Sequence, residues 1–421
     1  MSVARTIDQA NAEACGELWT ADPILVDIQS VGEAVPGFTP TTILTSGPRQ
    51  EWGEYEGGQR AAIIGGALFE GLAKDEDEAA ALIVRGDIKV APCHEYDCVG
   101  SLAGIYTASM PVLIVDNANG KKNRAFCNFY EGTNPRRLNY GVYDEGVRER
   151  LLHVQNTVAP VVRDAVRISG GIRLKPIMQR ALHMGDELHS RNTAASLLFT
   201  RELIPSLLQL AEKERERVDQ AVRALTADHY FFLRLSMATA KAMADAAHGV
   251  EGSTVVTAMS FNCRQFAIRV SGLGDEWYTG PLPVVEASLF AGHTPEEITW
   301  MGGESTIIET IGLGGFAQAA AFPLQAYQGG SPEVMIANNK KMYDIVVGEH
   351  PDFKIPFFGY RGTPSGIDLR KVLETGTAPI MNIGIAGRNG GQIGAGVVRA
   401  HLGCFESASS AYRHKYKRIK P

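Results

Sequence analysis

Two short apolar runs, Pro23-Ile24-Leu25-Val26-Asp27-Ile28 and Thr42-Ile43-Leu44-Thr45, predict buried strands, and Gly47-Pro48 ends the second. Residues 59–73 and 75–84 then take helical spacing. The second helix opens with Asp75-Glu76-Asp77-Glu78, acids that complement a helix N-terminus, and Gly86 stops it. Residues 88–91 and 110–116 return to strand patterns. Strand, helix and strand at this spacing predict an α/β layer.

The texture changes over 144–247. Glycine thins out and apolar residues recur at helical intervals, as in Leu203, Leu207, Leu210 and Ala211, then Val218, Ala221, Val222 and Leu225. The intervening Glu212-Lys213-Glu214-Arg215-Glu216-Arg217 is mixed in sign and reads as a solvated face. A further helix is expected to start at Thr226 or Asp228 and to end at Gly249. From Gly252 onward strand patterns return at 254–259 and 266–270, with heavy use of glycine. No repeat or low-complexity linker separates these parts. The expectation is an α+β or α/β multidomain chain. It has an α/β domain over 1–142, a helical domain over 143–250 and a glycine-rich α/β domain over 251–421, the helices packed against or inserted between the other two. Arg413, Lys415, Lys417, Arg418 and Lys420 make a basic tail that reads as a solvated terminus.

Composition narrows the partners. The 421 residues carry 41 Lys+Arg against 47 Asp+Glu, a net charge of -6, which argues against holding nucleic acid or a membrane surface by bulk charge. An anionic ligand must therefore meet a local group of arginines, for which Arg136, Arg137, Arg191, Arg264, Arg269 and Arg388 are candidates. The apolar runs fall far short of the ~18 residues that cross a bilayer. The opening MSVARTIDQANAEAC lacks the apolar stretch of a secretory signal, so the cytoplasm is expected. Six scattered cysteines show no disulfide framework.

Three stretches carry candidate chemistry. The densest is His183-Met184-Gly185-Asp186-Glu187-Leu188-His189-Ser190-Arg191-Asn192. If helical, it places Asp186 with His189 and Glu187 with Arg191 on shared faces. An aspartate beside a histidine fixes its tautomer and suits it to proton transfer near neutral pH; the plainer reading is a polar helix start. The second is Pro92-Cys93-His94-Glu95-Tyr96-Asp97-Cys98, after a predicted strand. Here His94 is a pocket candidate; Cys93, His94, Asp97 and Cys98 are zinc-ligand types without a second closely spaced pair, and Cys93 is otherwise a nucleophile activated by His94 or a small buried hydrophobe. The third is glycine: Gly312-Leu313-Gly314-Gly315, preceded by Glu304, Ser305 and Glu309, and the run from Gly384 to Gly396. Either forms an anion-binding nest or simply turns the chain.

Taken together, several motifs resemble one family. They include Leu68-Phe69-Glu70-Gly71, Pro92-Cys93-His94, Asn128-Phe129-Tyr130-Glu131-Gly132 and the 185–192 cluster. Further along they include Ile268-Arg269-Val270-Ser271-Gly272-Leu273-Gly274, Glu309-Thr310-Ile311-Gly312-Leu313-Gly314-Gly315 and Gln392-Ile393-Gly394-Ala395-Gly396. The chain is similar over nearly its whole length to the oxamate carbamoyltransferase G-subunit family. One departure is Gly302-Gly303-Glu304-Ser305, where the family pattern runs Gly-Asp-Ser, which shifts a carboxylate.

The resemblance implies α+β domains with a helical domain. It also implies a subunit of a carbamoyltransferase that interconverts oxalurate plus phosphate with oxamate plus carbamoyl phosphate in anaerobic allantoin use, or runs the same chemistry on a related ureido acid. Implied partners are small anionic substrates, a succinyl-CoA-synthetase-like subunit and a third subunit, with a homo-oligomer possible. The catalytic residues expected are His189, Asp186 and Glu187. The anion-binding residues expected are Arg191, Asn192, His94, Arg269, Gly314, Gly315, Gly394 and Gly396. No metal ligand is assigned and a divalent cation stays open. The competing readings are a metal-dependent amidohydrolase using His94, Asp186 and His189, and a non-catalytic scaffold or ligand-sensing subunit.

Overall fold

A computed structural model describes residues 6–132, 134–227 and 229–416. Asp228, considered above as a helix cap, and Lys417, Arg418 and Lys420 of the basic tail lie outside these residues. The largest sheet has five strands in the order Cys98–Val99, Arg124–Asn128, Pro111–Asn117, Pro23–Ser30 and Ile172–Arg173. The apolar run at 111–115 is continuous because both faces of its strand are covered. Leu113 and Val115 enter one core with Leu25, Ile28 and Cys127, while Val112 and Ile114 enter another with Phe126. Period-two alternation sends neighbours to opposite faces, so a strand buried on both sides needs apolar residues at each position.

The helices Ala159–Ile168, Leu174–His183, Thr193–Ala227 and Leu233–Ala246 cover the first of these faces, and their apolar residues share a single core with the sheet. The opposite face carries Gly57–Phe69 and Glu76–Arg85, which connect the strands Thr42–Thr45 and Lys89–Pro92. That pair is parallel, as a helical crossover requires. The α/β expectation for the first third therefore holds only locally. Cys98–Val99 with Arg124–Asn128 is the other parallel pair among the described residues, and the rest of the large sheet is antiparallel.

Beyond residue 250 the described residues form three smaller sheets. They are Val256–Phe261 with Gln265–Val270 and Tyr278–Pro281, then Val285–Leu289 with Gln392–Arg399, Ile380–Gly387 and Ile298–Thr299, and last the hairpin Val346–Ile355 with Arg361–Ile367.

Two local expectations change. Residues 184–192 are not helical; they form a tight loop between two helices, with Gly185 (φ 97°) and Leu188 (φ 74°) in left-handed backbone. The stretch 384–396 is not an open glycine loop but the two arms of an antiparallel hairpin closed by 388–391. Its N–H groups are committed to strand pairing, so they do not converge on an anion.

The helix Leu233–Ala246 positions the site. Almost all of its residues are buried, including Arg234 and Lys241, because it is clamped between the five-stranded sheet and the segments Ile7–Thr20 and Ile307–Thr310. A helix surrounded on all sides has no solvent face for a cation. Its two basic residues are held in the interior.

Candidate functional site

A cavity of about 500 Å³ opens where the loop after Arg124–Asn128, the 184–192 loop, the N-terminal end of Leu233–Ala246 and the 380–399 hairpin meet. Its polar wall includes Arg137, Arg234, His189, Tyr130, Tyr140 and Tyr230. His189 is 3% exposed, and its Nδ1 lies 2.8 Å from Glu309 Oε1. That contact commits Nδ1 and leaves Nε2 as the ring nitrogen for a guest. Burial alone pushes the imidazole pKa down, but the charge and hydrogen bond of Glu309, with Glu187 nearby, more than reverse this and hold it above its ordinary value.

The carboxylate is fixed as firmly as the ring. Glu309 Oε1 also accepts the N–H groups of Gly315 and Asn382, both at 3.0 Å. Gly314 explains its own identity here. A Cβ at that position would stand 2.2 Å from Glu309 Oε1 and 3.1 Å from the Cβ of His189, on a backbone at φ 59°. Gly315 packs against the Ile380 carbonyl with no room for a side chain. Both expected nest glycines thus sit beneath the histidine–carboxylate pair and let it close, rather than cradling a ligand.

Glu187 builds the loop. Its two oxygens accept the N–H groups of His189, Ser190 and Arg191 and the Asn382 amide, at 2.5–3.1 Å. Burial raises its pKa, and these donors oppose the rise. The pairing of Asp186 with His189, expected from helical spacing, is not made because the segment is a loop. Asp186 instead accepts the Ala195 N–H at 2.8 Å at the start of Thr193–Ala227, where a negative charge complements the helix dipole. Burial lifts its pKa to about 6, with the Ala195 bond and Arg191 pulling it back. Arg191 lies 3.4 Å from Asp186 and donates to the Gly185 carbonyl, and Asn192 donates to the His189 carbonyl while accepting from Ser236. These residues shape the loop that presents His189; none of them lines the cavity.

The cationic wall comes from other arginines. Arg137 donates to Tyr130 OH at 3.0 Å and to Gln392 Oε1 at 3.2 Å, and lies over the Tyr140 ring. Arg234 is 4% exposed, and its Nε and Nη1 have no hydrogen-bond partner. No described carboxylate pairs with it, and its closest aromatic neighbour is the Tyr130 ring at 5.9 Å. A buried guanidinium without a partner is costly unless something supplies the missing acceptors. Facing a cavity that also holds Arg137 and an imidazole, it is set up for a small oxyanion.

Gly394 and Gly396 lie in the hairpin strand, where a Cβ would strike the carbonyls of Ser288 and Glu286 on the adjacent strand. They allow close strand approach. His94 and Arg269 do not line the cavity either; they meet around Trp277, with His94 Nε2 3.9 Å from Glu304 Oε1. Cys93 is buried, and burial raises its thiol pKa well above the usual range, so it does not present a thiolate. His183 is exposed at a helix end against Tyr360. The ligand set of the amidohydrolase reading, His94, Asp186 and His189, is not brought together, and no group of three His, Cys, Asp or Glu among the described residues is arranged to hold a metal. No helix of the described residues is long and apolar enough to cross a membrane.

The similarity to known proteins agrees with the motifs. The sequence profile described as Oxamate carbamoyltransferase subunit AllG matches residues 88–305. The Escherichia coli (strain K12) protein named Oxamate carbamoyltransferase subunit AllG is 37% identical over 411 residues, covering 96% of this chain and 97% of its own length. The chain belongs to the AllG family. A second protein of the same strain, named Uncharacterized protein YahG, is 40% identical to this chain over 416 residues, 98% of this chain and 88% of its own length. The fold is that of a crystal structure of a conserved protein of unknown function from Enterococcus faecalis V583, with a TM-score of 0.94 and 38% identity over 97% of this chain and 98% of that one. The cavity draws residues from inside the family-matched region, including Arg137, His189 and Arg234, and from the hairpin beyond it, including Gly384 and Gln392.

Proposed function

We propose that this chain is the carbamoyl-transferring subunit of an oxamate-carbamoyltransferase-type complex, and that the cavity is where the transfer takes place. The observation that carries the reading is the joint presence, in one wall, of two arginines and a carboxylate-held imidazole. Transfer between oxalurate and phosphate needs two anions held side by side and a proton for a poor leaving group. In the phosphorolysis direction a phosphate oxygen forms a bond to the ureido carbon. The bond from that carbon to the oxamate nitrogen breaks, the nitrogen takes a proton from His189 Nε2, and the proton lost by the hydrogen phosphate restores the imidazolium. The products are carbamoyl phosphate and oxamate.

Arg234, with two donors lacking acceptors, holds one anion; Arg137, anchored by Tyr130 and Gln392, faces the other. Glu309 accepts from Nδ1 and favours the imidazolium, the form in which Nε2 also carries a proton to donate. Related ureido acids with the same carboxylate and carbamoyl group fit the same description. The family relationship supports the further expectation of partner subunits, one resembling succinyl-CoA synthetase.

The test is phosphorolysis of oxalurate by the reconstituted complex, followed by the appearance of carbamoyl phosphate. His189→Gln is expected to lower kcat by about 10²–10⁴-fold, the range for loss of a positioned proton donor. Wild-type turnover in that variant would overturn the assignment and favour a subunit that binds the anion without acting on it.

A further inference from the structure

The cluster around Trp277 is separate from the cavity and has the marks of a ligand site of its own. Arg269 is 8% exposed, lies 4.4 Å over the Trp277 ring, and makes no hydrogen bond or ion pair with any described residue. Trp277 Nε1 is buried without an acceptor. His94, 5% exposed, meets the same indole edge-on at 5.2 Å, and its Nε2 has no hydrogen-bond partner. Three potential donors around one ring, all lacking acceptors, are unusual, because buried polar groups in folded proteins are almost always satisfied. None of the acids nearby pairs with Arg269 among the described residues. Asp245 pairs with Lys241, and Asp275 stands 3.3 Å from His248 Nε2. Glu304 accepts the N–H groups of Gly47 and Gly100 at 3.0 and 2.7 Å.

We infer that Arg269, Trp277 and His94 form a second binding site for a small oxyanion, either inorganic phosphate or a carboxylate. The guanidinium fork supplies the charge and the indole N–H a further donor. The site communicates with the cavity by a short route. Glu304 Oε1 lies 3.9 Å from His94 Nε2, while Glu304 Oε2 holds Gly100, the residue before the cavity-lining Ser101; Glu304 itself precedes the cavity-lining Ser305. An anion beside His94 therefore acts on the carboxylate that holds the cavity wall in place. The inference does not depend on the reaction proposed for the cavity.

The experiment is titration of the full-length protein in anion-free buffer, with inorganic phosphate in one arm and oxamate in the other. Stoichiometry is read by calorimetry and indole fluorescence. Each arm offers a single kind of anion, so wild type is expected to bind two per chain, one in the cavity against Arg234 and one beside Arg269. Arg269→Met and Arg234→Met should each leave one, and Arg269→Lys, which keeps charge but loses the fork, should weaken the second site about tenfold or more. Trp277→Phe should lose the fluorescence response and weaken the same site. Retained cavity binding in Arg269→Met shows that the variant is folded. Saturation by phosphate alone or by oxamate alone assigns the anion. One site in wild type that only Arg269→Met removes would support this inference and sink the cavity assignment. One site that only Arg234→Met removes, two sites retained in Arg269→Met, or no binding in either arm would overturn it.

Discussion

Arg234→Met tests the cavity through stability rather than turnover. In the absence of a ligand Arg234 buries a charge whose Nε and Nη1 find no acceptor, on a helix with no solvent face. Each unsatisfied buried donor costs about 1–3 kcal/mol, and the cavity, which can hold water near the outer end of the fork, reduces that total. Methionine has a similar helix propensity and follows much of the same path through the core. The substitution should therefore stabilise the anion-free protein by about 1–3 kcal/mol, the direction seen when buried charges are replaced by apolar side chains of similar volume. With an unfolding entropy of ~2.1 cal/mol/K per residue, that raises Tm by roughly 1–3 °C for a chain of this length.

Anion reverses the ranking. A ligand at 1,000 times its Kd adds about 4.1 kcal/mol to the native state that binds it, more than the variant's starting lead of about 1–3 kcal/mol. Wild type should gain that increment from the cavity and Arg234→Met should not, so the two melting curves cross as oxamate or phosphate is added. The assay is thermal unfolding of both proteins in anion-free buffer and across an anion titration. If the variant melts below wild type without anion, Arg234 is paired or well hydrated after all. If it gains as much as wild type on titration, the guanidinium is not an anion ligand, and in either case the reasoning fails.

Other outcomes follow from the same geometry. Glu309→Gln removes the group that raises the His189 pKa; if activity needs the imidazolium, the fall in kcat with rising pH should move to lower pH by about one unit or more, and an unmoved limb would separate the pair functionally. Gly314→Ala forces a Cβ against Glu309 and His189 at φ 59°, so a loss of about 1–3 kcal/mol in urea unfolding, together with impaired turnover, is expected; a neutral substitution would show the pair tolerates displacement. Burial lifts the Glu304 carboxyl to about 7, against donors from Gly100 and Gly47. Because this folded-state value lies above the unfolded one, Glu304 favours the native state below the usual carboxylate range, and that contribution is lost as pH rises to about 7. Glu304→Gln should flatten the decline in stability between pH 5 and 7.5, and parallel curves for the two proteins would refute the sign.

Much of the fold was legible because local periodicity reports local burial. The strands at 23–28, 42–45 and 110–116 and the helices near 59–73 and 75–84 stand where the apolar spacing put them. What periodicity could not reveal was strand direction, since Pro23–Ser30 pairs antiparallel with Pro111–Asn117 across more than eighty residues of chain. The 184–192 loop failed for a different reason. Its side chains have plausible helical spacing, yet Glu187 takes the backbone N–H groups of His189, Ser190 and Arg191, which a helix would have used otherwise. Local hydrogen bonding of this kind competes directly with helix formation.

The same contrast runs through the site. His189 was visible as part of a polar cluster, but its carboxylate partner was sought three residues away and lies 120 residues on, at Glu309. Sequence spacing offers local partners only, whereas a buried imidazole takes whichever carboxylate the fold delivers. A signal for Arg234 was nevertheless present. Leu233-Arg234-Leu235-Ser236-Met237-Ala238-Thr239-Ala240-Lys241-Ala242-Met243-Ala244 has too few polar positions to make a solvent face, so its two cations had to be interior. Lys241 solves that problem with Asp245, four residues along the same helix. Arg234 has no such neighbour and pairs with no carboxylate among the described residues, and the 500 Å³ cavity beside it is open to a counter-charge. The pairing of one cation and not the other, on a single helix, is what separates structural burial from a binding group.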